Sequence, residues 1–181
     1  RNKEGLGARA LEFLVLTAAR SGEVRGASWS EMDLDEGVWT VPANRMKAGK
    51  EHRVPLSAQA VKLLQEVPRF EGTDLVFPGS KNQPLSDMTL TALMRRMGVD
   101  AVPHGFRSTL RDWASERTSF PAHVAEMALA HTIGNKVEAA YRRGDLFAKR
   151  KQLMAAWASF CDMVGEGTQN VVVAMQRVKS V

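Results

Sequence analysis

"GVWTVPANRMKAGKEHRVPLS", residues 37–57, interrupts a chain that otherwise reads as helix after helix. Its two short β-branched runs, "GVWTVPA" and "HRVPLS", flank the basic linker "NRMKAGKE" and predict a small antiparallel hairpin with a flexible tip. Before it, Leu11, Leu14, Val15 and Ala18 recur at helical spacing between Ala8 and Ala19. That pattern predicts a strongly apolar helix, buried on one side, which delivers Arg20 to the next turn. "SGEVRGASW", residues 21–29, reads as a short helix with Ser21 as N-cap and Gly26 as breaker.

After the hairpin the helical pattern resumes. Ser57 can cap a helix to about Gln65, and "DLVFPGS" at 74–80 is a short strand or turn. Ser86 or Asp87 caps "MTLTALMRRM", which Gly98 stops. Pro103 and Pro121 fit first-turn prolines of two further helices, "HGFRSTLRDWASE" and "AHVAEMALA". A short helix is expected from Val137 to Arg143, and after Gly144 a longer one with Leu153, Met154, Trp157 and Phe160 on its apolar face. The fold class is mainly α with a small antiparallel β-sheet, α+β. Residues 1–163 form one domain, and residues 164–181 form a tail whose "VVVAMQRV" run is expected to dock on this molecule or on a neighbouring protomer.

The composition is that of a globular protein: 181 residues, 44% hydrophobic and 25% charged. No apolar run approaches the roughly 20 residues that span a bilayer. The single cysteine, Cys161, cannot form an internal disulfide, which fits a reducing compartment, so the expected location is the cytoplasm. The chain begins at Arg1, in the run-up to a helix, so further N-terminal domains are expected before it. A net charge of +5 favours a polyanionic partner, weakly when taken alone.

Two kinds of chemistry are disfavoured. "GLGARA" at 5–10 follows no strand and is no dinucleotide fingerprint. His52, His104, His123 and His131 lack metal-ligand spacing, and one cysteine makes no zinc site. No metal or cofactor is expected. What remains is a dispersed set: Arg20 with Glu23, Lys47 at the hairpin tip, His104 with Arg107, His131, and the only tyrosine, Tyr141. Singly, each has an ordinary reading as a surface pair, a solvated lysine or a polar helix face. His52 and His123 read as surface or hydrogen-bonded structural histidines, and the four tryptophans as core.

Together, in order and spacing, the set resembles the tyrosine recombinases, the phage and prophage integrase family. "TAARSGE" is similar to that family's first arginine box and "MKAGKEHRVPLS" to its lysine hairpin. "HGFRST" is similar to the H-x-x-R box, "LAH" to the third motif, and "AAYRR" to the nucleophile. Ala18 and Ala130 stand where the family more often has glycine, as small-for-small changes.

The resemblance implies the DNA breaking-rejoining fold and a DNA strand transferase acting on double-stranded DNA without metal or ATP. A tetramer assembled on paired recombination sites is implied with it. It makes Tyr141 the nucleophile, forming a 3′-phosphotyrosyl link, with Arg20 and Arg107 binding the scissile phosphate. Lys47 becomes the general acid, His104 the nucleophile's proton acceptor or donor partner, His131 a further phosphate donor, and Glu23 a supporting carboxylate. Arg45, Lys50, Arg142 and Arg143 are candidate contacts to the DNA backbone. A type IB topoisomerase and a DNA-binding module without turnover remain as alternatives.

Overall fold

A computed structural model of the chain describes residues 5–131 and 144–165. The first helix, α1 (Leu6–Thr17), is buried at Ala10, Leu11, Phe13, Leu14, Leu16 and Thr17. These positions run round the helix rather than along one stripe, so burial on one side was too narrow an expectation. A helix apolar on most of its surface belongs at the centre of a fold. Accordingly α1 packs against α3 (Ala58–Glu66), α4 (Thr89–Arg96) and the long C-terminal helix α7 (Phe147–Gly165).

Between α1 and the sheet lies α2 (Ser21–Arg25), whose N-cap is Arg20 and not Ser21. The reason is Glu23: from the third helical position its Oε2 reaches back to accept the Arg20 backbone N–H at 2.9 Å, the return bond of a capping box, which makes Arg20 the cap. The sheet has three antiparallel strands in the order β1 (Met32–Asp33), β2 (Val38–Val41), β3 (His52–Pro55). The β2–β3 hairpin is the anticipated one, with Trp39 opposite Val54 and Val41 opposite His52. Two-residue β1 is too short to leave a periodic signal. The hairpin tip holds a 3-10 turn at Ala43–Arg45 and a second turn closed by the Gly49 N–H on the Met46 carbonyl at 3.0 Å.

Ser57 caps α3 as expected, its hydroxyl accepting the Ala60 N–H at 3.2 Å. At α4 the cap is Met88, and Ser86 serves through its carbonyl, which accepts the Thr89 N–H. Helices α5 (Gly105–Arg117) and α6 (Ala122–Ala128) begin one or two residues later than the prolines suggested: Pro103 precedes the N-cap His104, and Pro121 is itself the N-cap. The predicted helix at 137–143 lies outside the described residues; of the predicted tail, 164–181, the first two residues still belong to α7 and the rest lies outside the described residues.

Two apolar clusters form the core. One gathers Phe13, Trp39 and Phe77 with α3 and α4; the other gathers Leu110, Val124, Leu153 and Trp157 from α5, α6 and α7. Trp29, Trp39 and Trp157 are buried core residues, and Trp113 packs on Trp157 and Phe160. Because the Trp157 indole N–H donates to the Val15 carbonyl at 2.7 Å, the second cluster is fastened to α1. Among the described residues no helix is long and apolar enough to cross a membrane.

Candidate functional site

A narrow cleft, too tight to hold a water molecule, lies where the C-terminal ends of α1 and α6 meet the start of α5 and strand β3. Thr17, Ala19, Glu23, His52, Val54, Arg107 and residues 128–130 line it. Arg107 is its centre. The side chain leaves the first turn of α5 and is 3% exposed, which a cation tolerates only with close partners. Nη1 donates to the Ala18 carbonyl at 2.7 Å and Nη2 to the Leu129 carbonyl, while the buried Nε has no partner among the described residues.

Both carbonyls belong to helix ends, where backbone oxygens lack intrahelical donors. Ala18 ends α1 in the left-handed conformation, φ 49° and ψ 27°. Ala130 follows the α6 cap at φ 50°. Around it the His131 N–H returns to the Glu126 carbonyl at 3.0 Å and the Ala130 N–H to Met127 at 3.1 Å, the pair of bonds of a Schellman turn. The two positions where the resemblance leads one to expect glycine are thus positions of positive φ. The changes to alanine conserve size, but they put a Cβ where the backbone favours glycine.

Arg20 leads out of the first of these corners. Its Nη1 pairs with Glu23 Oε1 at 2.8 Å, and Glu23 is almost fully buried. This is a partly buried, doubly bonded unit rather than a loose surface pair. Burial first, and then the nearby Arg20 charge, lower the Arg107 pKa to about 10, so its guanidinium stays charged at neutral pH. Two cations and one carboxylate leave the cleft with an excess of positive charge.

His131 leads out of the second corner, with Nδ1 2.6 Å from Glu126 Oε2, and Arg111 also pairs with Glu126 at 2.8 Å. His104 stands one turn before Arg107 with an exposed side chain. Lys47 is exposed directly after Met46, which is buried in the first cluster and so anchors the tip. Neither Lys47 nor His104 makes a side-chain hydrogen bond or ion pair among the described residues. Tyr141, Arg142 and Arg143 lie outside the described residues.

Two basic residues that DNA could have claimed are engaged inside the protein. Arg45 is tied to the Glu31 carboxylate and to the Glu23 carbonyl, behind the cleft. Arg150, 2% exposed, donates to the carbonyls of Arg53 at 2.5 Å and Asp145 at 2.7 Å and to the Asp145 carboxylate at 2.7 Å. Lys50 is exposed at the hairpin tip.

His52, expected to be a surface or hydrogen-bonded structural histidine, is the latter: its Nε2 lies 3.3 Å from the Ala128 carbonyl oxygen, and the residue lines the cleft with Glu23 and Arg107, a place the sequence reading did not give it. A signal was available: in "HRVPLS" the two-residue period of a strand puts His52 on the same face as the buried Val54. Among the described residues no group of three or more His, Cys, Asp or Glu could hold a metal ion.

The sequence model of the phage integrase family matches residues 6–145, most of the chain and all of the cleft. The chain belongs to the phage integrase family. Prophage integrase IntA of Escherichia coli strain K12 is 36% identical over 159 residues, an alignment covering 85% of this chain and 38% of IntA. The integrase of Enterobacteria phage P4 is 34% identical over 174 residues, covering 85% of this chain and 40% of the phage protein. This integrase-family chain therefore spans about two fifths of those relatives. Among solved structures, the integrase from mycobacterium phage Brujita superposes with a TM-score of 0.63 at 20% identity, over 84% of this chain and 52% of that one. A lambda integrase tetramer bound to a Holliday junction gives 0.55 at 19% identity, over 75% and 44%. At these identities the likeness speaks for the fold, which is that of the tyrosine recombinase catalytic domain.

Proposed function

We propose that this chain is the catalytic domain of a site-specific recombinase that integrates or excises a prophage or genomic island, cutting and rejoining duplex DNA through Tyr141. The observation that supports the proposal is the approach of two arginines remote in sequence: Arg20, paired with the cleft residue Glu23, lies close enough to Arg107 in the cleft for its charge to lower the Arg107 pKa.

A phosphodiester under attack gathers negative charge on its non-bridging oxygens. Paired planar guanidiniums answer that charge with directed donors, and they act best where water is scarce. A tyrosine phenol ordinarily ionises near pH 10 and is only about a thousandth ionised at neutral pH, so this positive field also favours its phenolate. Tyr141 attacks phosphorus, the P–O5′ bond breaks, and the 5′ oxygen leaves with a proton from Lys47. The 3′-phosphotyrosyl link retains the phosphodiester's free energy, so attack by a 5′ hydroxyl of another strand rejoins DNA without metal or ATP.

In this reading His104 exchanges the phenol's proton and His131 adds a donor to the phosphate. Glu23 holds Arg20 in place, and Lys50, Arg142 and Arg143 contact the DNA backbone. The lambda integrase structures bound to a core site and, as a tetramer, to a Holliday junction support double-stranded DNA as partner and tetrameric assembly on paired sites.

The test uses a duplex selected for binding to this chain from a randomised pool, nicked at successive positions, in chelator and without nucleotide. The wild type is expected to form a protein–DNA adduct that survives denaturation, and Tyr141→Phe none. Binding without any adduct, or an adduct with Tyr141→Phe, overturns the assignment. Relaxation of supercoiled DNA that needs no paired sites would favour the topoisomerase alternative.

A further inference from the structure

We propose that His52 is a positioning residue, fixing the turn that presents His131 to the strand that leaves the lysine hairpin. The proposal rests on the recombinase reading above and adds to it a residue with no role there.

At the end of α6 five consecutive carbonyl oxygens, from residues 125 to 129, need donors. The Ala125 oxygen takes the Leu129 N–H, that of Glu126 takes His131, and that of Met127 takes Ala130. The two that take no backbone donor among the described residues lie on the cleft side. Arg107 donates to Leu129, and His52 Nε2 lies 3.3 Å from the Ala128 oxygen. A carbonyl only accepts, so Nε2 carries the proton and Nδ1 is the acceptor nitrogen. The Schellman turn is thus fastened by two side chains, one from α5 and one from β3.

What distinguishes His52 from a merely buried histidine is where its own backbone is held. It pairs with Val41 across the β2–β3 ladder, at the first residue after the exposed tip that bears Lys47. The imidazole therefore spans two parts of the proposed machinery, the lysine hairpin on one side and the His131 turn on the other. Its burial keeps the ring uncharged at neutral pH, so the bond is a neutral one and does not add a third cation beside Arg20 and Arg107. Misplacing a reacting group by about 1 Å costs up to about a hundredfold in rate.

The experiment compares wild type, His52→Ala and His52→Gln as the full chain, Gln placing an amide N–H near the reach of Nε2. Three quantities are read: affinity for the selected duplex, rate of adduct formation, and amide hydrogen exchange in the segment holding residues 122–131. Expected for His52→Ala are unchanged affinity, adduct formation slowed about tenfold or more, and faster exchange at Ala130 and His131. His52→Gln is expected to restore rate and protection. Wild-type rate and exchange in His52→Ala, or a folded His52→Gln no better than His52→Ala, would overturn the proposal. Should the wild type itself form no adduct, the recombinase reading falls, and the exchange data still decide whether His52 fixes the turn.

Discussion

The Arg107 guanidinium donates to the Ala18 carbonyl at 2.7 Å, and its other Nη donates to Leu129, so one side chain ties the end of α1 to the end of α6. Arg20 and His131 each emerge two residues beyond these carbonyls. Arg107 thus builds the cleft as well as charging it. Lysine has the charge but not the planar fork, and it can serve one carbonyl at a time. Arg107→Lys is expected to lose about 1–3 kcal/mol in urea denaturation, from the buried oxygen left without a donor. Adduct formation is expected to fall by about a hundredfold or more. An unchanged denaturation midpoint would contradict the bridging role.

Ala18 and Ala130 share a left-handed backbone but differ in burial. Left-handed geometry costs an L-residue roughly 1–2 kcal/mol, and glycine gives back about 0.5–1 through its larger unfolded-state entropy. Ala130 is only partly buried, so Ala130→Gly is expected to stabilise by up to about 1 kcal/mol. The Ala18 methyl is 1% exposed, and losing a buried methyl costs about 0.8 kcal/mol. Ala18→Gly is therefore expected to be near neutral. Denaturant midpoints of the two variants check the difference, and equal shifts would show that burial does not decide it.

His52 makes stability depend on pH. Burial first, then the Arg150 charge and more weakly Arg20, lower its pKa from 6.5 to about 4, with the Ala128 hydrogen bond and Glu23 opposing. Between those values the unfolded chain binds the proton and the folded one does not. The contribution is complete above pH 6.5 and is lost as pH falls toward 4, up to about 3 kcal/mol. Urea midpoints are expected to drop between pH 7 and pH 5 in the wild type, and the drop to shrink in His52→Gln. Parallel curves for the two proteins would contradict this.

Arg45 and Lys50 are both basic and stand on one hairpin, yet they should answer salt differently. Removing one phosphate-binding cation lowers the slope of log affinity against log salt by about 0.9. Lys50→Ala is expected to show that reduction with little change in stability. Arg45→Ala, which unpairs Glu31 and leaves the Glu23 carbonyl without its donor, is expected to keep the slope and lose about 1–3 kcal/mol of stability. Titrations at several salt concentrations, beside urea denaturation, separate a DNA contact from an internal strut.

Much of this protein was legible as local pattern. Helical spacing announced α1 and α7, two β-branched runs around a basic linker announced the hairpin, and Ser57 announced the start of α3. Motif order named Arg20, Glu23, Lys47, His104, Arg107, His131 and Tyr141 as the expected set; of these the described residues bring Arg20, Glu23 and Arg107 together, and Tyr141 lies outside them. Local reading failed where another group had taken over a local role. Glu23 holds the Arg20 N–H and so starts α2 one residue earlier than a Ser21 cap would, and Arg45 is drawn inward by Glu31.

The sequence by itself determined which side chains are available and which face of each element each one occupies, because those follow from periods of 3.6 and 2 residues. Only the tertiary structure decided that Arg107 would be buried between two helix ends and that His52 would share its cleft. It also decided that Ala18 and Ala130 would sit in left-handed corners. The physical reason is the same in each case. A helix terminus leaves carbonyls that something must satisfy, and which residue does so is fixed by packing between segments far apart in the chain.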